Sequence, residues 1–127
     1  MQITTTRSDL RPPVVTIEAS LHNLAQLGDC IDKRRNIALP SFQCDDPKLY
    51  SLNEFHVVEL PGDSPLRMAV AGLQLVAEGG AKALDWLASY FADLSVSENF
   101  YHVHIEWYEE HPYLAENSAP LIVSEIG

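Results

Sequence analysis

Apolar residues follow two distinct spacings along this chain. Leu21, Leu24, Ala25, Gly28 and Ile31 fall three or four apart, as do Leu84, Leu87, Ala88 and Phe91. That is the period of a helix with one face turned to a core. The spacing predicts helices over 21–35 and 81–94. Ser20 suits the cap of the first, and Lys33, Arg34 and Arg35 put cations at its end, where the helix dipole favours them. In the second, Lys82, Asp85, Ser89 and Asp93 fall largely opposite the apolar stripe, and Gly79-Gly80 reads as the turn into it. Elsewhere short segments rich in Ile, Val, Leu and Thr read as strands: 1–6, 14–19, 37–39, 52–60, 66–70, 73–78, 100–108 and 120–126. The Pro-containing stretch 7–13 makes a long hairpin turn, and Ala71-Gly72 a tight one.

The two helical patterns are more alike than two arbitrary helices. Residues 15–21 align with 75–81 at an offset of sixty, and the register continues with Leu24 on Leu84, Leu27 on Leu87 and Ile31 on Phe91. Further on, 54–62 can be laid on 119–127 at an offset of 65. Residues 1–63 and 64–127 then read as two repeats inside one domain spanning 1–127. The order of elements, ββαβ(β) twice, predicts an α+β fold: a mostly antiparallel sheet with two helices on one face and an internal ββαββ duplication.

Length and charge narrow the function classes. A chain of 127 residues fits one domain, and a domain of this size buries roughly two-thirds of its unfolded surface. No run approaches the roughly 20 apolar residues a membrane-crossing helix needs, and the first residues lack a basic start and long apolar stretch. Cytoplasmic residence is the expectation. The formal charge of −10 opposes binding to phosphate backbones, so a nucleic-acid ligand is not expected. Residues 64–127 hold nine acidic groups against Arg67 and Lys82; this suits either solubility or attraction to a basic protein. Cys30 and Cys44 form no metal-type or redox-type cluster and read as reduced thiols.

The predicted strand around 101–108 carries the densest chemistry. A two-residue period puts Val103, Ile105 and Trp107 on a core face and His102, His104, Glu106 and Tyr108 on the other. Two imidazoles and a carboxylate in an HxHxE row are a ligand set that zinc or ferrous iron accepts, with His111 a few residues beyond. An open sheet face explains the same row without a metal, and no cofactor is assigned. A His104–Glu106 acid/base pair lacks an accompanying nucleophile or oxyanion loop, and no phosphate-binding, GxSxG or HExxH motif occurs. An enzyme is not expected. The twelve residues 109–120 are long for a hairpin connection. They bring Glu109, Glu110, Tyr113 and Glu116 beside the row, either as a protein-binding loop or with Tyr113 and Leu114 folded back over the sheet edge.

The sequence from Leu66 to Ile126 resembles a known family. Its most specific pieces are His102 to Tyr108 (HVHIEWY), Pro112-Tyr113-Leu114 and the closing Pro120-Leu121-Ile122-Val123. These resemble the bacterial immunity proteins of polymorphic toxin systems, in particular the immunity protein 32 group. The resemblance implies a small cytosolic protein that binds and blocks a cognate toxin domain without catalysis or cofactor. The expected contact surface is His102, His104, Glu106, Tyr108, Glu109, Glu110, Tyr113 and Glu116, facing a basic toxin domain. Two alternatives stay open: a self-associating structural or regulatory protein, as a homodimer through the open sheet face, and a small metal-dependent enzyme using the HxHxE strand.

Overall fold

The computed structural model describes residues 1–7, 13–40, 42–97 and 102–126. A hairpin comes first, with β1 (Gln2–Thr6) antiparallel to β2 (Val15–Ala19); most of the connection lies outside the described residues. Alternation decides which side of β2 is buried: Val15, Ile17 and Ala19 are fully covered, Thr16 and Glu18 only partly. Helix α1 (Leu21–Asp32) follows at once. The Ser20 hydroxyl oxygen accepts from the Asn23 N–H at 3.1 Å, an N-cap that satisfies one of the first-turn donors.

The helix ends three residues sooner than its sequence pattern suggests. Lys33 is the C-cap and Arg34 turns into the left-handed region at φ 55°. The three cations therefore lie beyond the last turn. Arg34 nonetheless reaches back, its guanidinium donating to the Ile31 carbonyl at 3.0 Å and the Asp32 carbonyl at 3.1 Å. Ala25 is exposed, and Leu27 takes a place on the buried stripe with Leu24, Gly28 and Ile31.

Three short strands follow: β3 (Ile37–Ala38), β4 (Leu49–Ser51) and β5 (Glu54–Glu59). A second hairpin, β6 (Arg67–Ala71) and β7 (Gln74–Gly79), turns at Gly72, whose φ of 60° suits a residue without a side chain. Helix α2 (Ala81–Ser95) comes next, then β8 (His102–Ile105) and β9 (Leu121–Glu125). Among the described residues no helix is long and apolar enough to cross a membrane.

The α+β class is as expected, but the strands form two sheets. One has the order β4-β1-β2-β9-β8 and the other β3-β5-β7-β6. Most neighbours are antiparallel, yet each sheet holds one parallel pair, β2 with β9 and β5 with β7. Each hairpin thus pairs in parallel with a strand from the other half of the chain, and β5 and β9 cross between halves.

The two crossings match in detail. β4 lies along β1, and the Leu52 N–H donates to the Ile3 carbonyl at 2.9 Å before β5 joins the other sheet. Residues 114–119 likewise follow β6, with a bridge between Leu66 and Leu114 and the Ala119 N–H on the Met68 carbonyl at 2.8 Å, before β9 begins. On the parallel strands Val15 pairs with Leu121 and Leu75 with Phe55. Val15 and Leu75 stand sixty apart, so Phe55 corresponds to Leu121 at an offset of 66, one more than the sequence alignment uses. A one-residue slip exchanges the two faces of a strand. The buried residues obey the structural register: Phe55 and Val57 in one strand, Leu121 and Val123 in the other.

Both helices turn their stripes into one core. Leu24, Leu27 and Ile31 from α1 meet Leu84, Leu87 and Phe91 from α2 in a cluster that also takes in Ile3, Ile17, Phe55, Leu75 and Val123. Close approach depends on Gly28, where a Cβ would sit 3.0 Å from the Ala88 carbonyl oxygen and 3.2 Å from the Ala92 nitrogen. Gly80 does the same work ahead of α2: its N–H donates to the Ser64 carbonyl at 2.8 Å, and any side chain would strike the Gly62 carbonyl.

Candidate functional site

The strand with the histidines is shorter than its sequence suggests and lies at the edge of its sheet. β8 pairs antiparallel with β9 from His102 opposite Ser124 to Ile105 opposite Leu121, and Glu106, Trp107 and Tyr108 lie beyond its end. Phe100 and Tyr101 are outside the described residues. Within β8 the alternation is as predicted: Ile105 is buried and Val103 half-buried, while His102 and His104 are exposed. Trp107 is the correction. It is 37% exposed and not a core residue, because the extended backbone whose alternation would have turned it inward stops two residues earlier.

The imidazoles of His102 and His104 stand edge to face with centroids 5.3 Å apart. Among the described residues, no three His, Cys, Asp or Glu side chains gather closely enough to form a metal cage. The HxHxE row therefore does not fold into a three-ligand set, since Glu106 leaves the strand.

Past β8 the chain makes a tight turn. The His111 N–H donates to the Tyr108 carbonyl at 2.9 Å, and Glu110 takes φ 68°, a region costing a residue with a Cβ about 1 kcal/mol or more. His111 then anchors the next stretch. Its Nδ1 accepts from the Tyr113 and Leu114 N–H groups, both at 3.0 Å. An Nδ1 that accepts twice has no room for a proton, so the neutral ring carries its hydrogen on Nε2. Burial lowers the His111 pKa from the ordinary histidine value, which agrees with that arrangement.

These bonds place residues 111–114 against α2. Tyr113 stacks on Trp86 with centroids 5.3 Å apart and planes 17° from parallel; His111 meets Trp86 edge-on at 5.4 Å, and Tyr90 packs against it at 5.6 Å. Tyr108 lies over His111 at 4.6 Å. Burial raises the Tyr90 pKa, so its hydroxyl keeps its proton. Leu114 is buried, and its neighbours are tied to Leu66 just ahead of β6: the Leu66 N–H donates to the Tyr113 carbonyl at 2.7 Å, and the Ala115 N–H donates to the Leu66 carbonyl at 2.8 Å. Ser118, also buried, accepts from the Met68 N–H at 2.8 Å.

Between this wall and the end of β8 runs a cleft of about 380 Å³, lined by Trp86, Tyr90, His104, Ile105, Glu106, Tyr108 and His111. His104, Glu106 and Tyr108 all line it, the last two from beyond the end of β8. His102 is beside His104. Glu109, Glu110 and Glu116 are exposed, whereas Tyr113 is half-buried in its stack on Trp86. Sequence reasoning missed Trp86 and Tyr90, which supply one side of the cleft. The signal was present: they stand four apart in α2, one helical turn, flanking the core stripe.

Among curated proteins and among solved structures, none matches this chain. Residues 74–126, which run from β7 through α2 and β8 to β9 and include every residue lining the cleft, match the family model described as Immunity protein 32.

Proposed function

We propose that this chain is an immunity protein that binds a bacterial toxin domain and neutralises it without catalysis. The observation that carries the reading is the family match over 74–126, because the exposed row, the turn and the cleft all fall inside it. Charge supports a basic toxin as partner. Nine acidic residues against two basic ones in 64–127 give a field that speeds encounter with a cation-rich surface. The contact surface in this reading is His102, His104, Glu106, Tyr108, Glu109, Glu110 and Glu116, with Tyr113 fixing the wall behind it. In this reading the protein works in the cytoplasm. The same reading takes 1–63 and 64–127 as two copies of one unit that have exchanged their final strands.

The test takes the genes beside this chain's own and asks whether one encodes a toxic domain. Co-expression with this chain rescues growth, and the association rate of the purified pair falls steeply between low and high salt. A neighbouring toxin whose lethality this chain leaves untouched contradicts the function; tight binding with a salt-independent rate removes the acidic surface from it.

A further inference from the structure

The cleft beside α2 has a composition that points to one kind of occupant. Its lining brings together the rings of Trp86, Tyr90 and Tyr108, the imidazoles of His104 and His111, Ile105 and Glu106, and no lysine or arginine lines it. Glu109 and Glu110 follow directly in the exposed turn. Among the described residues none of these three carboxylates forms an ion pair with a side chain of this chain. Aromatic faces attract cations through their ring quadrupoles, and a carboxylate in the lining adds a charged acceptor. The cleft's volume of about 380 Å³ lies near the lower end of sites that hold small ligands. It suits the end of a side chain and is too small for a helix.

The wall stands before any partner arrives. Trp86 is clamped by Tyr113 on one side and His111 at its edge, and His111 is pinned by two backbone N–H groups. Tyr108 is the open element, 59% exposed while its ring rests on His111. Prebuilt walls spare a partner the ordering cost that weakens binding by flexible surfaces. We infer that this cleft receives an arginine side chain projecting from a basic protein partner, its guanidinium lying along the Tyr108 and Trp86 rings and its charge facing Glu106. Arginine fits better than lysine because a planar, weakly hydrated cation stacks on rings and bonds a carboxylate in the same pose. The inference rests on the proposed function for the partner's identity, but the recognition chemistry is testable without any toxin.

The experiment is an NMR titration of the intact protein with N-acetyl-arginine amide, using N-acetyl-citrulline amide as the uncharged counterpart of the same shape and N-acetyl-lysine amide as the compact cation. The arginine probe is expected to shift the Trp86 indole N–H and the Tyr108 ring signals with saturation in the millimolar range, several-fold more tightly than the lysine probe. The citrulline probe leaves them unmoved. Glu106→Gln and Tyr108→Phe, both at exposed positions, then separate charge from ring: the first weakens the arginine probe roughly fivefold and the second leaves it nearly unchanged. Shifts by citrulline as large as by arginine, or no shift at Trp86 and Tyr108 with arginine, overturn the inference. A parallel measurement keeps it distinct from the immunity reading. If the neighbouring toxin binds wild type and Tyr108→Ala equally, the cleft inference falls and the immunity function stands. If the toxin does not bind at all while the arginine probe does, the immunity function falls and the cleft's chemistry stands.

Discussion

Replacing Gly28 tests how the two helices meet, because two physical effects there predict opposite signs. In an isolated helix, glycine to alanine gains about 1 kcal/mol from backbone entropy. In this protein the new methyl would lie 3.0 Å from the Ala88 carbonyl oxygen, 3.2 Å from the Ala92 nitrogen and 3.6 Å from the Phe91 Cβ. Two of those neighbours are backbone atoms of α2, and α2 is held in place by the buried Leu84, Leu87 and Phe91. They cannot swing aside as the end of a side chain would. Overpacking of this kind costs about 1–3 kcal/mol, so Gly28→Ala should destabilise by about 1 kcal/mol net. Gly28→Val adds two more carbons and recovers less propensity, and should destabilise by about 2–3 kcal/mol, near 10 °C in melting temperature for a chain of this size. Urea unfolding followed by far-ultraviolet circular dichroism measures both. Ala25→Gly, at an exposed position on the same helix, gives the propensity effect alone and should cost about 1 kcal/mol. Stabilisation by both Gly28 variants would refute the reasoning, since the helices would then have room to spare at their crossing.

Arg34 ties α1 to its surroundings through Glu59 and Asp85, each at 2.9 Å, and through the end carbonyls of the helix. Burial alone would lower its pKa, but the two carboxylates outweigh that and leave it raised. Both carboxylates are largely exposed, so each pair contributes modestly, and Arg34→Met should lose about 1–2 kcal/mol, an effect that shrinks in high salt when followed by thermal unfolding. At His111 the lowered pKa means that the folded protein resists a proton the unfolded chain accepts. Its contribution is complete above the ordinary histidine value near 6.5 and is lost as pH falls through that value towards the lower folded one. Melting temperature measured across this window should show the loss in wild type and a smaller one in His111→Gln. Val57 is 8% exposed and Val58 40%, so Val57→Asp should prevent folding or cost more than about 3 kcal/mol, whereas Val58→Asp should fold with a change below about 1 kcal/mol; the reverse order by urea titration would shift the register of β5 by one residue.

Local pattern carried much of this architecture. The stripes Leu24, Leu27, Ile31 and Leu84, Leu87, Phe91 were legible because helical spacing depends only on neighbours along the chain, and all six are buried. Most strand segments were legible for the same reason, to within a few residues at their ends, but β4 (Leu49–Ser51) was not, because three residues are too short a run to show an alternation. What escaped was pairing. Nothing local to Leu121–Glu125 says that it lies parallel to Val15–Ala19, because a parallel partner is chosen by the fold as a whole. The sequence alignment of 54–62 with 119–127 uses an offset of 65 where the two parallel pairings differ by 66; Val57 and Val58 are apolar in succession, so alternation alone could not fix which of them faced inward. Trp107 went wrong where the sequence pattern outlasted the strand. In the candidate site, His104 and Glu106 line one cleft although Glu106 lies past the end of the strand, while the contribution of Trp86 and Tyr90 depended on a contact between α2 and a loop more than twenty residues away.

For the proposed immunity function, the most direct measurement is hydrogen exchange of this chain with and without a toxin domain that it neutralises on co-expression. Binding should slow exchange at the amides of 102–111, around the exposed histidines, the Tyr108 turn and the cleft, and leave those of β3 and the outer end of β5 unchanged. Protection confined to β3 and β5, with 102–111 exchanging as in the free protein, would contradict the account.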